Sequence, residues 1–136
     1  MAGKLNTLIR DKRGNSVIEF SLVLPLLLLV CFGITEFGRA WMTMNILTSA
    51  AREGVRLAVV TAPDVPAVQQ RVRDVCAAAG VTPTAITVVP PNPADPDRRV
   101  SVTVETDFVV IPGQILGTFN GTIPLRTTTI MRHEAL

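Results

Sequence analysis

The stretch that decides the fold is residues 13–39, which read R-G-N-S-V-I-E-F-S-L-V-L-P-L-L-L-L-V-C-F-G-I-T-E-F-G-R. Its middle part, the 16 residues from Phe20 to Thr35, carries no charge and stands between Glu19 and Glu36. At about 1.5 Å per residue this part forms roughly 24 Å of helix, against about 30 Å for the hydrocarbon core of a bilayer. Counting from position 17 to position 37 gives 21 residues, which is enough to span. The stretch therefore predicts a membrane-spanning helix.

The residues before the apolar run are basic. Residues 1–14 carry four lysines and arginines against Asp11, a net charge of +3, whereas the whole chain has a formal charge of +2. Lysine and arginine collect on the cytoplasmic side of a span, so the N-terminus is predicted to be cytoplasmic and the C-terminal body to be exported. The small overall charge gives no reason to expect nucleic-acid binding.

Glu19 is the unusual residue at the head of the span. A carboxylate within a hydrophobic span costs on the order of 2.5 to 3.5 kcal/mol at mid-helix, and less near the edge. It is either a helix-end carboxylate that reaches the lipid headgroups or one half of an ion pair. Cleavage after Gly14 would place a new α-amine on Asn15, one helical turn before Glu19. The two charges could then neutralise each other, within one chain or between neighbouring chains.

These residues also carry a resemblance. A basic leader, a glycine, four residues and then Glu-Phe at the head of an apolar helix resembles the processing site of type IV prepilins. Here the pattern is Gly14, then N-S-V-I, then Glu19-Phe20. The wider string from Glu19 to Arg39, followed by A-A-R-E-G-V-R at positions 50–56, is similar to the TadE-like minor pilins of tight adherence secretion systems. The resemblance covers less than a third of the chain, from Arg13 to Arg56.

The resemblance implies a structural pseudopilin that is needed for pilus biogenesis and surface adhesion. It implies cleavage by a prepilin peptidase after Gly14, with Asn15 as the new first residue, and assembly through Glu19 and Phe20. The implied partners are the peptidase, other major and minor pilins, the inner-membrane assembly platform and the lipid bilayer, with no cofactor and no nucleic acid. The implied location is the bacterial inner membrane, single-pass, with the head domain in the periplasm or later in the pilus.

The helix is predicted to continue beyond the membrane. Pro25 removes one backbone hydrogen bond inside the span and predicts a kink or a loosened turn. From Val30 to Ala62 apolar or small residues recur at steps of four and three, which is the period of a helix. A polar side repeats the same spacing at Asn45, Ser49, Arg52 and Arg56. One amphipathic helix to about Thr61 accounts for both patterns.

Small residues make up part of the surface of this continuation, namely Ala50, Ala51, Gly54 and Ala58. They either pack on the protein's own sheet or let neighbouring helices approach closely in a bundle. Both can hold, with the membrane half packing between subunits and the outer half packing within one chain.

The rest of the chain predicts a small head. Pro63 ends the long helix, and Asp64 caps a second short amphipathic helix whose apolar face runs from Val65 to Ala79 and which stops at Gly80. Three strands follow, predicted at Ala85 to Val89, Arg99 to Ile111 and Thr122 to Arg132, with an exposed loop at Pro90 to Pro96 and a loop or turn from position 112 to Gly121. The predicted class is α+β and pilin-like, with about three antiparallel strands against the outer half of the long helix.

The predicted domains are a cleaved leader at 1–14, a transmembrane helix at 15–38, its extramembrane continuation at 39–62 and the head at 63–136.

The sequence gives little support for a catalytic site or a metal site. His133 is the single histidine, far from either cysteine in sequence, which argues against a metal site. Cys31 lies inside the span and Cys76 outside it, so they are not expected to pair, and Cys76 is predicted to be buried on a helix face. Glu105 and Asp107 share the outer face of a strand and are interpreted as solvated. The chain is therefore predicted not to be an enzyme.

Two other hypotheses stay open. An uncleaved, single-pass envelope binding protein would keep its leader and would not need Glu19. An exported enzyme cut by signal peptidase after Ala40 would begin at Trp41. A lipoprotein site at Cys31 is disfavoured because Val30 is too large for the position before the cysteine.

Overall fold

The computed structural model describes residues 12–60, 64–92, 94, 96–111 and 121–132. Its elements are α1 (Lys12–Val60), α2 (Val65–Ala78), β1 (Ala85–Val89), β2 (Arg99–Val109) and β3 (Thr122–Arg132). The predicted α+β class is confirmed, with one long apolar helix, one short helix and three antiparallel strands. The chain divides into two compact units, Met1–Phe37 and Gly38–Leu136.

The sheet is a three-stranded antiparallel meander in the order β1-β2-β3. β1 and β3 have the predicted bounds, whereas β2 ends at Val109 and not at Ile111. The ladder closes with Val109 opposite Thr122. Val110 and Ile111, predicted within β2, therefore lie beyond the strand. The predicted turn at 112–120 and the predicted stop at Pro63 lie outside the described residues.

The core of the second unit is aliphatic and brings three elements together. Its fully buried members are Leu47, Ala50, Ala51, Val55 and Ala58 from α1, Val68, Val72 and Cys76 from α2, and Val100, Val102 and Val104 from β2. The predicted polar side of α1 is exposed at Asn45, Ser49, Arg52 and Arg56. The small residues of α1 beyond position 49 therefore pack on the protein's own head, as one of the two interpretations predicted.

Gly54 marks the closest approach in this core. A Cβ placed on Gly54 would lie 2.6 Å from Val72 Cγ2, 3.4 Å from Val102 Cγ1 and 3.6 Å from Val68 Cγ1. Real Cβ atoms do not come within 3.0 Å of a neighbour, so α1 can meet α2 and β2 at this distance only because residue 54 has no side chain.

α2 follows its predicted pattern with two corrections. Asp64 occupies the N-cap position, but its side chain makes no capping hydrogen bond. Ala79, predicted on the apolar face, is exposed because it is the C-cap, past the last helical turn. Cys76 takes the buried position instead, which confirms the prediction for that thiol. Gly80 follows with a φ of 72°, the left-handed conformation in which glycine commonly ends a helix.

The thiol of Cys76 gives the head a pH dependence, because burial raises its pKa. A raised pKa in the folded state means that the unfolded chain loses this proton first as the pH rises. The neutral thiol contributes its full stability at pH values below the pKa that Cys76 has in the unfolded chain. This contribution is lost as the pH rises through the higher pKa that Cys76 has in the folded chain. We expect the free energy of unfolding to fall in this window by up to about 1.4 kcal/mol per pH unit.

Urea titrations of the full chain in detergent, followed by circular dichroism across the alkaline range, measure this slope. In Cys76→Ala the slope should be shallower. Equal slopes in the two proteins would show that Cys76 does not contribute.

Candidate processing and assembly site

The predicted cleavage residues lie in the first turn of α1. The helix begins at Lys12, so the backbone at Gly14 and Asn15 is helical before any cleavage. The first N–H groups of a helix have no intrahelical partner, and those of residues 12–14 are among them. Opening the chain between Gly14 and Asn15 therefore breaks few backbone hydrogen bonds.

Glu19 lies one turn after Asn15 on the same side of α1, since residues four apart in a helix are neighbours on its surface. Its side chain is exposed, and so is that of Phe20, at 62%. The Cβ atoms of such pairs are about 5 to 6 Å apart. The helix thus places the carboxylate within reach of the position where cleavage would create an amine. Whether cleavage occurs stays a prediction.

The apolar run after Phe20 is exposed throughout its length. The large hydrophobic side chains with substantial exposure in this run are Leu22, Val23, Leu24, Leu26, Leu27, Leu28, Leu29, Val30, Phe32 and Ile34. From Ser16 onwards α1 is long and apolar enough to cross a membrane, with a mean hydropathy of 2.6 in its most apolar window and none of that window buried. An apolar surface of this size in water would be strongly unfavourable, which suggests a membrane anchor.

The hydroxyl groups in this run are satisfied within the helix. Ser21 Oγ donates to the carbonyl of Val17 at 2.7 Å, and Thr35 Oγ1 donates to the carbonyl of Phe32 at 2.9 Å. Such internal bonds lower the cost of placing a hydroxyl in lipid. α1 continues through Pro25, whose missing N–H would otherwise bond to the carbonyl of Ser21. A kink at this position stays a prediction.

The part of the chain that the structure describes shows no group of three or more histidine, cysteine, aspartate or glutamate residues that could hold a metal ion. His133 lies outside that part. The carboxylates on the outer face of β2 have structural partners. Glu105 Oε1 is 3.1 Å from Arg126 Nε, and Asp107 Oδ2 accepts from Thr84 Oγ1 at 3.4 Å.

Sequence reasoning missed one feature of the second unit. A cavity of about 280 Å³ lies where α1 enters that unit, and its lining includes Arg39, Thr82, Asp107 and Phe108. The guanidinium carbon of Arg39 lies 5.1 Å from the centre of the Phe108 ring, a cation–π contact. These residues come from separate elements, so no spacing in the sequence could have shown that they meet.

Comparison with known proteins gives a match that lies within α1. The family model described as TadE-like protein matches residues 14–56, about a third of the chain. The match begins at the predicted cleavage glycine and ends at Arg56, which confirms the resemblance found in the sequence. No curated protein and no solved structure matches the chain.

Proposed function

We propose that this chain is a structural pseudopilin of a bacterial tight adherence pilus, cleaved by a prepilin peptidase after Gly14 and needed for pilus biogenesis and adhesion. The observation that carries the proposal is the TadE-like match over residues 14–56. It includes the cleavage glycine, Glu19 with Phe20, and the apolar run. No catalytic role is assigned to any residue.

Before assembly, the proposed protein is anchored in the inner membrane by residues 15–38, with residues 1–14 in the cytoplasm. The basic leader and the exposed apolar run support this orientation. The proposed extramembrane segment, residues 39–62, contains the rest of α1, and residues 63–136 complete a periplasmic head that contacts other pilins. The helix presents its apolar surface to lipid first and then to neighbouring helices of the assembly.

Glu19 has the central role in the proposed mechanism. Cleavage leaves a positive amine on Asn15 at the start of an apolar helix, where an uncompensated charge is costly. An amine and a carboxylate about 4 Å apart attract by roughly 4 kcal/mol at an effective dielectric constant near 20. If the amine of one chain pairs with Glu19 of a neighbouring chain, a misplaced subunit loses this contact, so the pair can set the register between neighbouring helices. Pro25, one turn beyond Ser21, would let the helix adjust its length during this packing.

The mature N-terminus tests the proposal directly. The full chain is expressed with and without a cognate prepilin peptidase, extracted from membranes, and analysed by intact mass and N-terminal sequencing. We expect a chain that begins at Asn15 only when the peptidase is present. In Gly14→Val the leader should be retained, because a β-branched side chain replaces the glycine at the cleaved bond. Gly3→Val, the same substitution at another leader glycine, should be processed normally.

Other N-termini would contradict the proposal in different ways. A chain that keeps Met1 or Ala2 in the presence of an active peptidase would favour the uncleaved envelope binding protein. A chain that begins at Trp41 would identify residues 1–40 as a cleaved signal peptide.

A further inference from the structure

One end of the head can be located from contacts within the second unit. Arg39 lies over Phe108, and the space beside Gly54 is bounded by Val102. α1 and β2 therefore run in opposite directions. Residue 39 of α1 lies beside residue 108 of β2, and residue 54 of α1 lies beside residue 102. The end of β2 and the beginning of β3, where Phe108 pairs with Ile123, lie beside the point at which α1 enters the unit.

This end carries a group of exposed apolar side chains, which we call the basal rim: Trp41, Met42, Val109, Ile111 and Ile123. Two charged residues, Arg39 and Asp107, line the cavity at this end. The opposite end of the sheet also exposes apolar residues, but there Arg99 stands directly opposite Arg132. The two ends therefore differ in net charge, because Arg39 and Asp107 have opposite signs whereas Arg99 and Arg132 are both positive.

The basal rim begins with Trp41, three residues after the end of the predicted span at residue 38. Arg39 is four residues from Thr35, which is about 6 Å along a helix and at most roughly 14 Å in an extended chain. The headgroup layer is roughly 5 to 7 Å thick on each side of the hydrocarbon core. β2 continues one residue past Phe108, so Val109 lies further towards this end. Trp41 and Met42 follow residue 38, the end of the predicted span, by three and four residues, which is about 6 Å of helix and comparable with the thickness of the headgroup layer.

We propose that the basal rim docks the head on the lipid surface, with its apolar side chains inserted between phospholipid headgroups. Tryptophan favours this depth, and arginine binds phosphate through several N–H donors. Arg39, whose guanidinium lies over the ring of Phe108, places a positive charge at this end of the head. This inference rests on the proposed function, because it requires residues 15–38 to cross the membrane.

Two isoleucines of β3 provide a matched test. Ile123, in the basal rim, is 51% exposed, and Ile130, near the opposite end, is 57% exposed. Seven residues of strand separate them, which is about 24 Å. Each is replaced by cysteine in the full-length Cys31→Ser chain and labelled with an environment-sensitive fluorophore. The protein is reconstituted in vesicles of phosphatidylethanolamine and phosphatidylglycerol, with a spin label on a fraction of the headgroups.

We expect the spin label to quench the fluorophore at position 123 more strongly than the fluorophore at position 130, by about threefold or more, because ~24 Å separates the two positions. Its emission should also be shifted to the blue. Equal quenching and equal, water-like emission at the two positions would overturn the inference. Unlabelled Cys76 in each variant confirms that the head remains folded, because that thiol is buried.

A label on the native Cys31 separates this inference from the proposed function. If that label is shielded from aqueous iodide while positions 123 and 130 behave alike, the chain spans the membrane and only the docking is wrong. If iodide quenches the label on Cys31 freely, the membrane span is wrong and the docking fails with it.

Discussion

Replacing Gly54 by leucine will strongly destabilise the head, by about 3 kcal/mol or more. A Cβ at this position already lies 2.6 Å from Val72 Cγ2, and leucine adds three more carbon atoms in the same direction. Valine is stiff about χ1, so Val72 cannot rotate away at low cost. Overpacking of a core costs about 1 to 3 kcal/mol and sometimes more, from a total stability of about 5 to 15 kcal/mol. With alanine the same clash is partly offset by about 1 kcal/mol of helix propensity.

The reactivity of the Cys76 thiol measures this destabilisation, because Cys76 is buried in the core against which Gly54 packs. In the Cys31→Ser background, the alkylation of Cys76 is followed in the detergent-solubilised full chain during a urea titration. Gly54→Leu should make Cys76 reactive at much lower urea than in the parent, and Gly54→Ala should shift the midpoint less in the same direction.

Gly38→Leu is the matched control in the same helix. Among the described residues, nothing lies within 4 Å of a Cβ placed on Gly38. The exposed glycine weakens the helix by about 1 kcal/mol, so its replacement should leave the midpoint unchanged or raise it. An unchanged midpoint for Gly54→Leu would mean that α1 does not pack on α2 and β2 as closely as the structure indicates.

Gly54 also shows where sequence reasoning stops. Its place on a small-residue face of a helix could be predicted, because helix periodicity is a local property. Its contact with Val72 and Val102 could not, because it depends on three elements meeting at one point. The same holds for Arg39 and Phe108, which are 69 positions apart. β1 and β3 could be predicted with their bounds, because β-branched alternation and flanking turn residues are local too.

The processing segment is the opposite case. The proposed chemistry depends on six consecutive residues, Gly14 to Glu19, so the sequence contains almost all of the information. The helix adds only that positions 15 and 19 share one side. The basal rim, assembled from α1, β2, β3 and the residues after β2, could not be recognised from any linear pattern.

Replacing Glu19 by glutamine should abolish assembly and leave processing intact. Glutamine keeps the size of the side chain and its ability to accept a hydrogen bond, but it removes the charge. The cleaved amine on Asn15 then has no carboxylate partner within the apolar bundle, and an unpaired charge there is costly. A loss of only 1.4 kcal/mol of assembly free energy lowers the equilibrium constant for assembly about tenfold. We therefore expect the amount of the chain in sheared surface pili to fall by about tenfold or more. Intact mass should still show a chain that begins at Asn15.

Glu36→Gln is the control that makes this result specific. Glu36 belongs to the same helix and to a similar Glu-Phe pair, but it lies beyond the far end of the apolar run, where it can reach the water interface. Its replacement should leave the pilus-associated amount near that of the parent. If Glu19→Gln also leaves assembly unchanged while cleavage proceeds, Glu19 is a helix-end carboxylate that reaches the headgroups, and the register must come from packing of the apolar side chains alone. If both variants lose assembly equally, the cause is the total charge of the helix and not the turn that joins residues 15 and 19.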